Sequence, residues 1–341
     1  VPLFDLTLPE LRDYRPRPEV PPDLVDFWSG TFTEAAAFPL AARFTPVDAA
    51  LAEVDVYDVR FAGWAGASIA AWLLVPRGHE SVPCVVQYLG YGVGRSLPHD
   101  HTMWPSAGCA VLVVDTRGMS GPFGIPGDTA DPGAGSAPHV PGFLTQGIDD
   151  PADYFYRRVF TDAVRALAVA AEAPGVDPAR LVVSGGSQGG AIAQAVGALH
   201  GIAAGPAPIA ALIDVPFLTH VRRAVDLTDS DPYYELVRYL SSRRDDVRRV
   251  FATLSYFDGL NLAPLGTVPA LYSVALRDPI CPPSTVFAAY NAWAGPKRIE
   301  VWPYNEHEGG GTHQLGLQLR YVRDLLAGNV AEGDGDDRRD V

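Results

Sequence analysis

Basic residues and cysteines are in short supply in this chain. Its 341 residues hold 26 Lys and Arg against 40 Asp and Glu, a formal net charge of -14. Clustered cations are what hold a phosphate backbone, so this balance argues against nucleic acid as a partner. It also argues against an anionic membrane surface and favours a neutral or cationic small-molecule ligand. Three cysteines, Cys84, Cys109 and Cys281, are too few and odd in number for a disulfide framework. Cys84 and Cys109 lie in apolar runs and read as small buried hydrophobes. No apolar run approaches the roughly 20 residues that span a bilayer. The opening Val-Pro-Leu-Phe-Asp has neither a basic start nor an apolar signal core, so secretion is not indicated and a reducing cytoplasm is expected. Internal repeats are absent as well.

What the chain does have is apolar mass. Hydrophobic residues make up 48% of it and charged residues 19%, enough for a sizeable core and too little charge for disorder. Residues 1–25, rich in proline and acids, read as an extended arm. Asp26–Phe38 reads as a helix with Asp26 as N-cap. Val54–Phe61 and Ser68–Val75 read as paired strands joined by a Gly-rich turn. Six short apolar runs follow: Cys84–Tyr88, Ala110–Asp115, Leu181–Ser184, Ala211–Val215, Ala270–Val274 and Ile299–Pro303. Runs of about five residues bounded by Gly, Pro or Asp suit strands buried on both faces of a parallel sheet. Asp153–Ala173, between two of them, has helical periodicity. The alternation predicts an α/β fold with a mostly parallel, doubly wound sheet and helices on both faces. Residues 118–150, rich in Gly, Pro and Asp, read as a long loop, which at that length is expected to be functional. Residues 216–262 read as a helical cap inserted between two core strands. One domain is expected over residues 1–331, with a disordered acidic tail over 332–341.

One motif carries chemistry. Leu181–Ser184 runs into Gly185-Gly186-Ser187-Gln188-Gly189-Gly190 and then into a small-residue helix. This is strand, G-x-S-x-G, helix. A serine on such a turn exposes its Oγ, and the turn is sharp enough that Gly185 and Gly189 cannot be bulky. The N–H of Gln188, at the helix start, can bind a developing oxyanion. No Lys follows to make the turn a phosphate loop. The pattern is that of the α/β-hydrolase nucleophile elbow.

In that fold the acid and the histidine follow the serine in chain order. Asp278 follows the strand Pro269–Ala275, and His307 follows the strand Ile299–Pro303. Both thus fall at the strand ends where such sheets place their sites. His307 is the expected base for Ser187, and Asp278 its orienting partner. His313 is a weaker rival base, because no strand precedes it. Asp226 and Asp258 read as surface charges, Glu306 and Glu308 as solvated loop carboxylates. His99 and His101 lack the further ligands a metal site needs and read as loop residues, so no metal and no cofactor are expected. The second oxyanion donor is expected after the third strand of the fold, at the N–H of Tyr91 in Tyr88-Leu89-Gly90-Tyr91-Gly92.

The blocks Gly185–Gly190, Asp278-Pro279-Ile280-Cys281-Pro282-Pro283-Ser284-Thr285 and His307-Glu308 resemble those of carbohydrate esterase family seven, the acetyl xylan esterases and cephalosporin-C deacetylases. Pro2–Asp5, Asp153–Ala166, Asp214–Phe217, Tyr256–Asp258 and Ala288–Lys297 are similar too, so the resemblance covers nearly the whole chain. It implies an α/β-hydrolase with the triad Ser187, Asp278 and His307, oxyanion donors at Tyr91 and Gln188, and no cofactor. It also implies small acetyl esters as substrates and a homo-oligomer, a hexamer built as a dimer of trimers. One departure stands out. The family's Arg-Gly-Gln after the fourth strand is Arg117-Gly118-Met119 here. Arg117 can still hold the loop beneath the site by charge-assisted hydrogen bonds, whereas Met119 has no amide. Phe217 and Tyr91 are expected to shape the pocket that limits acyl length.

These readings imply a serine esterase acting on small acetylated substrates, with an acyltransferase as the nearest alternative enzyme. A catalytically silent ligand-binding fold is the alternative from another class. A peptidase is disfavoured by the absence of a propeller-like repeat.

Overall fold

The computed structural model describes residues 3–121, 125–133 and 139–329. Nine strands form one sheet: β1 Arg43–Val47, β2 Val54–Ala62, β3 Ser68–Pro76, β4 Val82–Tyr88, β5 Ala110–Val114, β6 Val176–Gly186, β7 Ala210–Asp214, β8 Ala270–Ala275 and β9 Lys297–Trp302. Their order across the sheet is β1-β2-β3-β5-β4-β6-β7-β8-β9. β1 to β3 are antiparallel to one another, and β3 pairs antiparallel with β5. From β5 to β9 every pairing is parallel. β1 is the one strand of the sheet that the sequence pattern did not mark. It is an edge strand with only one neighbour, so its residues stay largely exposed and carry no continuous apolar signal.

The apolar runs form strands because both faces of the sheet are covered. In β5 all five residues are buried. Leu112 and Val114 point into one core layer while Val111 and Val113 point into the other, the period of two that a pleated strand imposes. The larger layer packs α2 Leu24–Ala36, α4 Phe155–Ala171, α5 Gln188–Leu199 and α10 Pro283–Ala292. The smaller one packs α3 Met103–Ser106 and α11 Gly311–Leu326. Among the described residues no helix is long and apolar enough to cross a membrane.

Three local expectations change. α2 begins at Leu24 with Asp23, not Asp26, as its N-cap residue, and its buried face is Leu24, Trp28, Thr31, Phe32 and Ala35. The N-terminal arm is not simply extended, since α1 Leu8–Asp13 forms within it. Thr7 and Glu10 make a capping box there, with the Thr7 N–H and hydroxyl donating to Glu10 Oε2 at 2.8 and 2.7 Å. The Asn291 side chain of α10 donates to the Leu11 and Tyr14 carbonyls and docks the arm. Finally, α11 was not foreseen. Leu315, Leu319, Val322 and Leu326 recur at helical spacing and, with Tyr321 and Leu325, pack into the smaller core layer.

Between β7 and β8 lie four helices, α6 Val221–Leu227, α7 Tyr233–Ser242, α8 Val247–Leu254 and α9 Gly259–Leu262. They occupy the interval that the sequence marks as a helical insertion. Among its described residues, the connection from β5 to α4 contains no helix or strand. It is pinned instead by buried carboxylates. Asp115 accepts from the Arg95, Asp128 and Thr129 N–H groups at 2.6–2.8 Å. The expected disordered tail, 332–341, lies outside the described residues.

Candidate active site

β6 delivers Ser187 into a turn that only small neighbours permit. Ser187 has φ 57° and ψ -118°, a conformation that L-residues rarely adopt, and α5 starts at the next residue. A Cβ at Gly185 would lie 2.3 Å from the backbone of Gly189. One at Gly189 would lie 2.2 Å from the Tyr88 carbonyl oxygen, and one at Gly190 2.5 Å from that of Asp214. The three glycines therefore let the elbow pack directly onto the ends of β4 and β7. Two backbone bonds fix it: Ser187 N–H donates to the Asp214 carbonyl at 3.0 Å, and Phe217 N–H to the Ser187 carbonyl at 3.0 Å.

The loops after β8 and β9 bring up the partners. Leu276 N–H donates to the Trp302 carbonyl and Arg277 N–H to that of Asn305, which ties the two loops together. The Asp278 side chain is fully buried. Its Oδ1 accepts from the Ile280 and Cys281 N–H groups at 2.8 and 2.9 Å. Oδ2 lies 2.8 Å from His307 Nδ1, and His307 Nε2 lies 2.9 Å from Ser187 Oγ. A carboxylate only accepts, so the ring proton belongs on Nδ1, and Nε2 is left to accept from the serine hydroxyl. His313 stands at the exposed start of α11 beside Trp302, and it is His307 that reaches both partners.

Cys281 stands beside the triad, a position that no sequence signal marks. Its thiol is 1% exposed and lies against Ser187 and Asp278, and burial pushes it well above the ordinary thiol range. Among the described residues, Asp278, Cys281 and His307 form a group with potential metal-ligand atoms within 4.8 Å of one another. His307 bonds both Ser187 and Asp278, so two of these three groups are already engaged with one another. His99 and His101 bond the carbonyls of Ala49 and Arg95 from a short turn.

Gln188 is the first residue of α5, where a helix leaves its N–H groups without intrahelical acceptors. Its buried side chain joins the elbow to the loop after β4. The amide donates to the Leu89 and Gly90 carbonyls at 3.3 Å, and the amide oxygen accepts from the Tyr156 hydroxyl at 2.8 Å. Tyr91 follows directly in that loop. Met119 also stands here, 1% exposed. Its Sδ accepts from Gly92 N–H at 3.2 Å and from the Gln188 amide at 3.3 Å. A thioether thus supplies a weak acceptor where the sequence reading expected a missing amide to leave a gap.

Arg117 is 1% exposed. It grips Asp162 of α4 through two bonds of 2.6 and 2.8 Å and reaches Asp131 at 3.1 Å. Arg158 binds the other side of Asp131. Gly118 has φ +73° and donates its N–H to the Thr129 carbonyl. Phe217 differs from its expected role. It is fully buried, 4.6 Å from the Tyr233 ring and 6.2 Å from that of Tyr91. It offers no surface to a ligand and backs Tyr91 from behind. Asp258 is not a free surface charge either. Its carboxylate accepts from the His220, Val221 and Leu260 N–H groups and caps α9.

The chain is similar to known proteins over nearly its whole length. A family model described as acetyl xylan esterase matches residues 1–325. An acetyl esterase of Xylanibacter ruminicola is 25% identical over 302 residues, 88% of this chain. The chain spans 66% of that relative's length. An acetyl xylan esterase structure from a Paenibacillus species is 36% identical with a TM-score of 0.86, over 93% of this chain and 99% of its own. Another, from a Thermoanaerobacterium species, is 30% identical with a TM-score of 0.85, over 94% and 99%. The fold shared with them is that of the α/β-hydrolases.

Proposed function

Because the chain belongs to the acetyl xylan esterase family, a family of carboxylic ester hydrolases, we propose that it removes acetyl groups from small acetylated substrates through an acyl-enzyme on Ser187. The observation that carries this reading is the continuous line of bonds Asp278–His307–Ser187, at 2.8 and 2.9 Å, ending on a strained and half-buried serine. His307 takes the Ser187 proton as Oγ attacks the acetyl carbonyl, then returns it to the leaving alcohol. Water then attacks the acyl carbonyl as His307 takes one of its protons, and the bond from the acyl carbon to Ser187 Oγ breaks as that proton passes to Oγ and acetate leaves. Asp278 holds the ring and steadies the imidazolium. The N–H groups of Tyr91 and Gln188 receive the oxyanion in both halves of the reaction.

Acetylated xylo-oligosaccharides and cephalosporin C-like acetates are the proposed substrates, on the strength of the family alone. A silent binding fold has no need of a serine held at positive φ and bonded to a histidine that a buried carboxylate orients. Replacement Ser187→Ala should reduce aryl-acetate hydrolysis by at least about 10³-fold while leaving the thermal midpoint close to the parent's. Retention of most of the activity in that variant would refute Ser187 as the nucleophile. Product analysis in the presence of acceptor alcohols separates hydrolysis from acyl transfer.

A further inference from the structure

A second buried carboxylate lies close to the site and has no part in the steps above. Glu235, on α7, is 3% exposed. Neutral donors take both of its oxygens: the Tyr91 hydroxyl at 2.6 Å on Oε1 and the Leu144 N–H at 2.9 Å on Oε2. The Tyr91 hydroxyl in turn accepts from Phe143 N–H at 2.5 Å. The Tyr91 ring is wedged edge-on against Phe143 at 5.7 Å. Gly142 has φ +120°, and a Cβ there would lie 2.1 Å from Glu235 Oε1, so the backbone is pressed onto the carboxylate. One side chain from the helical insertion thereby joins the loop after β4 to the long connection after β5.

Placing a carboxylate in such surroundings is costly, and an apolar residue of similar size would commonly be at least as stable. A role in the reaction accounts for its presence better than stability does. We propose that Glu235 is a positioning residue for oxyanion stabilisation: by gripping the Tyr91 hydroxyl it holds the loop Leu89–Gly92 so that the Tyr91 N–H stays aimed at the developing oxyanion. This rests on the reading of Tyr91 as an oxyanion donor.

The grip depends on charge. Ionised, Glu235 presents two acceptor oxygens to two donors. Protonated, one oxygen becomes a donor and the match is lost. Burial pushes this carboxyl up to about 7, helped by Asp231 and opposed by the bonds from Tyr91 and Leu144 and by Arg238. Tyr91, Tyr154 and Tyr156 also face it, and burial raises all three hydroxyls, so they stay neutral where Glu235 titrates. The grip therefore tightens as pH rises through about 7.

The test compares kcat and KM for an aryl acetate in the full chain, the variants Glu235→Gln and Tyr91→Phe, and the double variant. Each single variant should lower kcat by about tenfold or more, with KM changed less than about threefold. The double variant should lose no more than the worse single one, because both break the same bond. The ratio of parent to Glu235→Gln kcat should grow from pH 6 to pH 8, since at pH 6 the parent is already protonated. His307 is common to both proteins and cancels from this ratio. The thermal midpoint at pH 8 should stay close to the parent's in Glu235→Gln. The folded-state carboxyl titrates above its unfolded value, so ionisation destabilises the fold between the ordinary carboxylate range and about 7; Gln removes that loss while leaving one of the two donors without an acceptor, and the two effects oppose. The proposal is overturned by unchanged kcat, by a pH-independent ratio, by multiplying losses in the double variant, or by a drop in kcat that follows a drop in thermal midpoint. Ser187→Ala run alongside keeps the two readings apart. Activity surviving there defeats the nucleophile, whereas a dead Ser187→Ala beside a fully active Glu235→Gln defeats only the positioning role.

Discussion

At position 189 a methyl group would sit 2.2 Å from the Tyr88 carbonyl oxygen. Backbone cannot retreat as a flexible side chain can, so Gly189→Ala must push the elbow away from the loop after β4. Overpacking of this kind costs about 1–3 kcal/mol. The same shift separates Gln188 from Leu89 and Gly90, so hydrolysis of an aryl acetate should fall at least tenfold even below the new melting temperature. A thermal melt paired with a rate measurement checks both, and parent-like values in the two would show that the elbow is not packed as described. The glycines at 185 and 189 were readable from the motif, because a sharp turn has a known requirement. Met119 was readable only as a missing amide. That its sulfur meets both Gly92 N–H and the Gln188 amide depends on two residues distant in the chain converging on one point.

The helical insertion between β7 and β8 shows what whole elements add. Asp258 holds the start of α6 through the His220 and Val221 N–H groups and caps α9 through that of Leu260, at 2.6–2.9 Å. Burial pushes this carboxyl up to about 6 against the pull of those three bonds. Asp258→Ala leaves donors without an acceptor and should cost about 1–3 kcal/mol in chemical denaturation. A change within about 0.5 kcal/mol would mean that water replaces the carboxylate there. In sequence Asp258 read as a surface charge of the helical insertion. Only the return of the chain beside residues 220 and 221 makes it a cap. Phe217 is the converse case. An aromatic residue just past β7 suggested a pocket wall, but α7 lays Tyr233 across it and buries it entirely.

Past the C-terminal end of β5, Arg117, Asp162, Asp131 and Arg158 form a buried group of two cations and two anions contributed by the β5–α4 connection and α4. Their net charge is zero, and loss of any one member leaves a desolvated charge behind. Arg117→Leu should therefore cost about 3–5 kcal/mol. Denaturation in urea would register it, and a loss below about 1 kcal/mol would show that Asp162 finds other solvation. The sequence marked Arg117 as a loop holder but could not name its partners, because Asp162 lies 45 residues away. Strand identity and chain order were legible for a physical reason. A strand covered on both faces must be apolar throughout, and each crossover returns the next one beside its neighbours. Edge strand β1 lacks that constraint and left no comparable trace, whereas α11 carries Leu315, Leu319, Val322 and Leu326 at helical spacing.

The sequence by itself determined the elbow and the order Ser187, Asp278, His307. A serine on a strained turn needs glycines on either side, and the fold accepts its acid and base only after later strands. The tertiary structure alone decided which buried groups support them. Glu235 reaches Tyr91 across 144 residues and Gln188 reaches Gly90 across 98. Cys281 lies against Ser187, and the Met119 sulfur accepts from the Gln188 amide across 69 residues. Local requirements are written in adjacent residues. The fit of one side chain to another depends on distances that exist only after the chain has closed on itself.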